Sequence, residues 1–319
     1  MAAALLALLA LALLAWATRP APLEPPATAL RVEGDPEAWL QRREARAAAL
    51  HPLVPGTEKR IRWAGAAGQR TELALVYLHG FSATRQELAP VPARIASTLG
   101  ANLFETRLAG HGRRDAPLAG VRAEDWLQDG VEALAIGRRL GERIAIMGVS
   151  TGATLALALA RHPDFRSVDT LILVSPNFGP AERGAELLTG PLGPQLARLL
   201  LGAERSWEAQ TAEQARYWAT RYPTASVLEM MRLVHLARRL VGEVRVDNAL
   251  LVYSPQDSVV SVPQLLAGFD SLPAARKQAR PMSGGSPSRH VLAGDILAPE
   301  NNAPLAAAVT AFLRGPPAP

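Results

Sequence analysis

Residues 143–161 read RIAIMGVSTGATLALALAR. Arg143 to Met147 is an apolar run of strand length, and Ala153 to Arg161 is built from strong helix formers. Between them stand Gly148-Val149-Ser150-Thr151-Gly152. A chain that leaves a strand and enters a helix within five residues forces an unusual φ/ψ on the central residue. It also leaves little room for Cβ atoms on either side, which is the physical use of a glycine at each end. Ser150 is then held out at the end of a sheet, where a ligand can reach it. The spacing alone is a weak signal; the strand before it and the helix after it give it weight.

Working outward, the same rhythm repeats. Leu73 to Leu78, Asn102 to Leu108, Ile144 to Val149, Leu171 to Val174 and Ala249 to Tyr253 are short, continuously apolar runs. Helical patterns over Glu87 to Leu99, Trp126 to Leu140 and Thr154 to Arg161 separate them. Continuous apolar strands alternating with helices predict an α/β fold, with a mostly parallel central sheet covered by helices on both faces. The rhythm breaks between Ser175 and Asn248, where helical patterns run without a convincing strand. An insertion of that length reads as a helical cap, about 176–247. Its Trp207, Tyr217, Trp218, Tyr222, Met230 and Met231 either line an apolar pocket or pack the cap onto the sheet.

A serine hydroxyl is a poor nucleophile near neutral pH, so it requires a base within hydrogen-bond reach and a third group to orient that base. His162, His235 and His290 follow Ser150. His162 ends a helix beside Pro163, and His235 sits among Val234 and Leu236 on an apolar helix face. His290, at the end of Ser283-Gly-Gly-Ser-Pro-Ser-Arg-His290, is the candidate base. Asp257 follows the strand Asn248 to Tyr253 through a Ser-Pro-Gln turn, at the carboxyl end where a late loop can meet it. Asp247 lies at the wrong end of that strand and Asp270 within a helix; Asp295 is a rival five residues after His290. Backbone N–H groups of Phe81, in His79-Gly80-Phe81, and of Thr151 are candidates for an oxyanion hole. His79, and His111 in Gly110-His111-Gly112, are expected to brace these turns.

With these residues in order, the chain resembles the α/β-hydrolase superfamily, and within it the group of monoacylglycerol lipases, lysophospholipases and serine aminopeptidase-like hydrolases. The resemblance rests on His79-Gly80-Phe81, Gly110-His111-Gly112, Gly148 to Gly152, Asp257 and Ser288-Arg289-His290-Val291, over roughly residues 59 to 314. It implies hydrolysis of an ester or amide through an acyl-enzyme on Ser150, with no metal and no organic cofactor. A lipophilic, acylglycerol-like ester is the favoured small-molecule substrate; acyl transfer, peptide hydrolysis and a catalytically silent, membrane-anchored binding module are the alternatives. The segment Glu105-Thr-Arg107-Leu-Ala109 departs from the aspartate-containing run usual in relatives, and Thr151 stands where many carry another small or polar residue.

Composition narrows the remaining classes. The 319 residues contain no cysteine, which removes disulfides, thiolate metal sites and thiol nucleophiles. The net charge of +5 comes from arginine, since Lys59 and Lys277 are the only lysines, and the arginines are scattered. Scattered charge without interleaved aromatics argues against nucleic acid as partner, and no obligate protein partner is evident. Met1 to Ala17 is uncharged and rich in leucine and alanine, so residues 1–18 read as an N-terminal single-pass membrane anchor or as an export signal cleaved near Ala17. Residues 19–58 read as a proline-rich linker and a short helix beginning after Asp35, and 59–314 as the catalytic domain.

Overall fold

The computed structural model describes residues 22–182, 184, 186, 188, 190 and 192–315. The apolar segment 1–18 lies outside the described residues. Among the described residues, no helix is long and apolar enough to cross a membrane.

The first helix, α1 (Pro36–Leu50), starts where Asp35 accepts from the amides of Glu37 and Ala38, with proline in the first turn. The proline-rich stretch before it is extended but laid along the body. Leu23 and Val32 are buried, and their carbonyls accept from Arg239 and Arg139. A segment that finds arginine donors for its carbonyls gains a docking surface that its own composition does not reveal.

Seven strands form one sheet: β1 (Arg60–Arg62), β2 (Thr71–Leu78), β3 (Asn102–Glu105), β4 (Gly141–Val149), β5 (Val168–Val174), β8 (Val246–Tyr253) and β9 (Ala274–Pro281). Their order is β1-β3-β2-β4-β5-β8-β9, parallel throughout except for β1 against β3. Alternation splits each central strand between two cores. Ala74, Val76 and Leu78 of β2, Ile144 and Ile146 of β4, and Leu171 and Leu173 of β5 share one core with α3 (Ala123–Leu140) and α4 (Thr151–Ala158). Leu75, Tyr77, Ala145, Met147, Ile172 and Val174 share the other, with α2 (Val91–Leu99) and α9 (Asn302–Arg314). Both faces of the sheet are thus dry, which is why these strands read as continuous apolar runs.

Between β5 and β8 the chain forms α5 (Gly193–Leu201), β6 (Glu204–Ser206), α6 (Ala212–Tyr217), β7 (Arg221–Pro223) and α7 (Thr224–Leu240). The β6–β7 pair corrects the strandless reading of this insertion: it is three residues long on each side and antiparallel. Arg221 and Glu204 pair across it at the surface, and Tyr222 of β7 packs against the core. After β8, α8 (Val262–Ser271) leads into β9, the far edge of the sheet.

Candidate active site

Ser150 sits between β4 and α4 with φ 49° and ψ −115°, a conformation L residues rarely adopt. The glycines on either side explain how it is held. A Cβ on Gly148 would lie 2.5 Å from the Ala153 backbone nitrogen, and one on Gly152 would lie 2.2 Å from the Leu78 carbonyl oxygen. Both obstacles are main chain, so neither can move aside cheaply. The Ser150 amide donates to Val174 O at 2.9 Å, fixing the turn to the next strand.

Asp257 and His290 are brought together by the loops after β8 and β9. His290 Nδ1 and Asp257 Oδ2 are 2.7 Å apart. The other carboxylate oxygen of Asp257 accepts from the amides of Val259 and Val260, at 2.8 and 3.0 Å. The Asp257 side chain is fully buried, so it is fixed by three donors in a dry setting. The loop carrying His290 is tied to its neighbours as well: Ser175 Oγ donates to His290 O at 2.9 Å, and the Ser258 amide donates to Ser288 O at 2.9 Å. With Nδ1 engaged, Nε2 is the nitrogen His290 has left for Ser150.

The rivals fall elsewhere. Asp295 Oδ1 accepts from Asn302 Nδ2, which ties its loop to the start of α9. His162 is buried, and its Nδ1 accepts from the Asp164 amide at the head of a short turn. His235, on α7, lines a separate cavity of ≈ 500 Å³ with Pro22, Leu23, Arg232 and Arg239. That cavity contains none of Ser150, Asp257 and His290, and so offers no such chemistry.

The turn after β2 is held by two neutral histidines. His79 Nδ1 lies 2.9 Å from Gly80 O and its Nε2 accepts from the Leu108 amide; His111 Nδ1 lies 3.0 Å from Ala109 O and its Nε2 accepts from the Ser82 amide. A carbonyl only accepts and an amide only donates, so these partners fix the Nδ1–H tautomer in both rings. Burial lowers the pKa of His111 to about 4, and burial reinforced by neighbouring His111 lowers that of His79 well below the ordinary value. Neither ring can serve as the base. They clamp the loop that carries Phe81, whose ring packs edge-on to His111, Trp126 and Tyr222. The Phe81 amide has no acceptor among the described residues, and Thr151 is the first residue of α4, where an amide lacks an intrahelical partner.

Glu87 was not singled out from the sequence. It reads there as the first residue of a helix, but α2 begins only at Val91. The buried carboxylate instead accepts from the Gly80 amide at 2.7 Å, directly before Phe81, and lines the same cavity as Ser150. Burial raises its pKa to about 7 against the pull of the Gly80 amide and of nearby His290. A lone carboxylate seven residues after the His-Gly turn is the one clue the sequence held.

Ser150 and His290 open onto a cavity of ≈ 470 Å³. Trp207, Trp218, Tyr222 and Met230 of the insertion line it, together with Val227, Val260 and Val291. Met231 is buried away from it in the core, and Tyr217 packs against Gly56 and under Arg216. Four of the six large side chains named from the sequence therefore line the cavity.

A family model described as the alpha/beta hydrolase family matches residues 75–309. The chain belongs to this family. It is 26% identical over 211 residues to a thermostable monoacylglycerol lipase of Bacillus sp. (strain H-257), covering 66% of this chain and 78% of the lipase. Among solved structures it is similar to one from work on LipS and LipT, two metagenome-derived lipolytic enzymes, with TM-score 0.66, 19% identity, and coverage of 82% of this chain and 99% of that one. A soluble variant of monoglyceride lipase from Saccharomyces cerevisiae aligns with TM-score 0.57 and 12% identity, over 79% of this chain and 89% of the other. At these identities the two structures speak for the fold.

Proposed function

We propose that this protein is a serine hydrolase that cleaves carboxylic esters, with a lipophilic, acylglycerol-like substrate favoured. The observation that carries the reading is the 2.7 Å contact between Asp257 and His290 in the wall of the apolar cavity that Ser150 enters from a strained turn. The similarity to a monoacylglycerol lipase supports an ester as substrate.

In this reading His290 takes the Ser150 proton through Nε2 as the hydroxyl attacks the acyl carbonyl, while Asp257 holds the Nδ1–H tautomer and steadies the imidazolium that forms. The amides of Phe81 and Thr151 receive the developing oxyanion. His290 then protonates the leaving alcohol, and water, activated by the same ring, releases the acyl group. Trp207, Trp218, Tyr222 and Met230 exclude water around the acyl chain and strengthen these charge interactions. The apolar segment Met1 to Ala17 fits delivery to a membrane, as an anchor or as a cleaved signal, where lipophilic esters are met.

Turnover of p-nitrophenyl esters and of monoacylglycerols by the full chain, beside Ser150→Ala, tests the proposal. Removing the hydroxyl should lower kcat by several orders of magnitude, since such residues act as a unit. An active Ser150→Ala variant would contradict the mechanism.

A further inference from the structure

The chain carries 34 lysines and arginines against 29 acidic residues, and several of its acids are matched by cations. Glu105 meets Arg60 and Arg62, Glu44 meets Arg107, Glu124 meets Arg232, and Glu243 meets Arg161. The cavity over Ser150 is lined without such a pair. No lysine or arginine lines it, and two carboxylic acids do: Glu87 deep beside the His79–Phe81 turn, and Glu208 on the segment between β6 and α6. Glu208 is exposed and makes no ion pair or hydrogen bond among the described residues. Glu87 accepts from the Gly80 amide and has no cationic partner among them beyond the active-site ring of His290. The nearby Arg205 and Arg289 are exposed and do not line the cavity.

From this we infer that the cavity selects esters by charge, admitting neutral and cationic substrates and rejecting anionic ones, and that Glu208 sets this selection at its rim. The inference rests on Ser150 acting as the nucleophile. A carboxylate or phosphate on the substrate would enter a partly desolvated space with the carboxylate of Glu208 at its rim and the buried Glu87 in its wall, and with no guanidinium lining it to receive the charge. A quaternary ammonium would meet Glu208 together with the aromatic rings of Trp207, Trp218 and Tyr222, the combination of carboxylate and π faces that attracts such cations. Glu208 binds and discriminates; it takes no part in bond breaking.

The test uses three p-nitrophenyl esters of equal chain length, ending in a methyl, a trimethylammonium or a carboxylate group, with the full chain at low ionic strength. One unit charge a few ångströms from a half-screened carboxylate should make kcat/KM for the cationic ester about tenfold higher than for the anionic one. Added salt should compress that ratio by screening. In Glu208→Gln the ratio should fall to about twofold or threefold, and in Glu208→Lys it should drop below one. Each ratio is taken within one protein sample, so a variant that folds poorly still reports. A wild type that hydrolyses the anionic ester as well as the cationic one, or a ratio unmoved in Glu208→Lys, overturns the inference while hydrolysis of the methyl-ended ester leaves the esterase reading standing. Hydrolysis of none of the three overturns both.

Discussion

Replacing Glu87 by glutamine changes the charge of one buried group and little else. The carbonyl oxygen of the substituted side chain can still accept the Gly80 amide that the carboxylate accepts at 2.7 Å. Burial lifts the Glu87 pKa from 4.5 to about 7. The folded state therefore holds its proton more tightly than the unfolded chain, so this contribution to stability is present below about pH 4.5 and is lost as the pH rises through 7. At ~1.4 kcal/mol per tenfold change in proton affinity, the loss is about 3 kcal/mol. His111, lowered from 6.5 to about 4, works in the opposite sense and weakens the fold as the pH falls from 6.5 toward 4. That contribution is common to wild type and variant and cancels in their difference. Glu87→Gln should thus gain on the wild type by about 3 kcal/mol between about pH 4.5 and pH 7, then hold a constant lead. At ~2.1 cal/mol/K of unfolding entropy per residue, that is roughly 5 °C in Tm for a chain of this size. Thermal melts of both proteins at steps from about pH 5 to pH 8 measure it. A difference that stays flat over that interval would refute the burial and pairing assigned to this carboxylate.

Three further perturbations follow from other contacts. Asp257→Asn keeps the shape of the contact with His290 Nδ1 but favours the wrong tautomer, and should lower kcat by about 10³–10⁴ in ester hydrolysis with little change in Tm. Gly152→Ala drives a Cβ to 2.2 Å from the Leu78 carbonyl oxygen, and should lower stability by at least ~2 kcal/mol in urea unfolding. Lys59 is buried against Asp129 and Glu132, and Asp129 also accepts the Ala109 amide beside the His111 turn. Among the described residues, Lys59→Met leaves Asp129 without a cation and Glu132 with Arg43 alone, and should destabilise by about 3 kcal/mol in urea unfolding near neutral pH.

What could be read from the sequence, and what could not, follows from burial. β2, β4, β5 and β8 were legible because both faces of each are covered, so every position selects an apolar residue. β9 was not, because it is an edge strand whose Lys277, Gln278 and Arg280 are exposed, and β6 and β7 are too short and too charged to show a period. Ser150 was legible because a backbone constraint dictates two glycines at fixed spacing. Position along the chain does not separate Asp257 from Asp295, since both lie in loops near His290; only the folded chain shows that Asp257 turns to the histidine and Asp295 to Asn302. Glu87 escaped notice because a glutamate before an apolar periodic run looks like the first turn of a helix. Its role arises from a non-local meeting with Gly80 that no periodicity encodes.

The central claim is that Ser150 is an activated nucleophile. Labelling of the full chain with a fluorophosphonate, followed by mapping of the modified peptide, tests it most directly beside Ser150→Ala. The account predicts one covalent adduct, on Ser150, absent from the variant; a folded wild type that takes no label, or one labelled equally after Ser150→Ala, would contradict it.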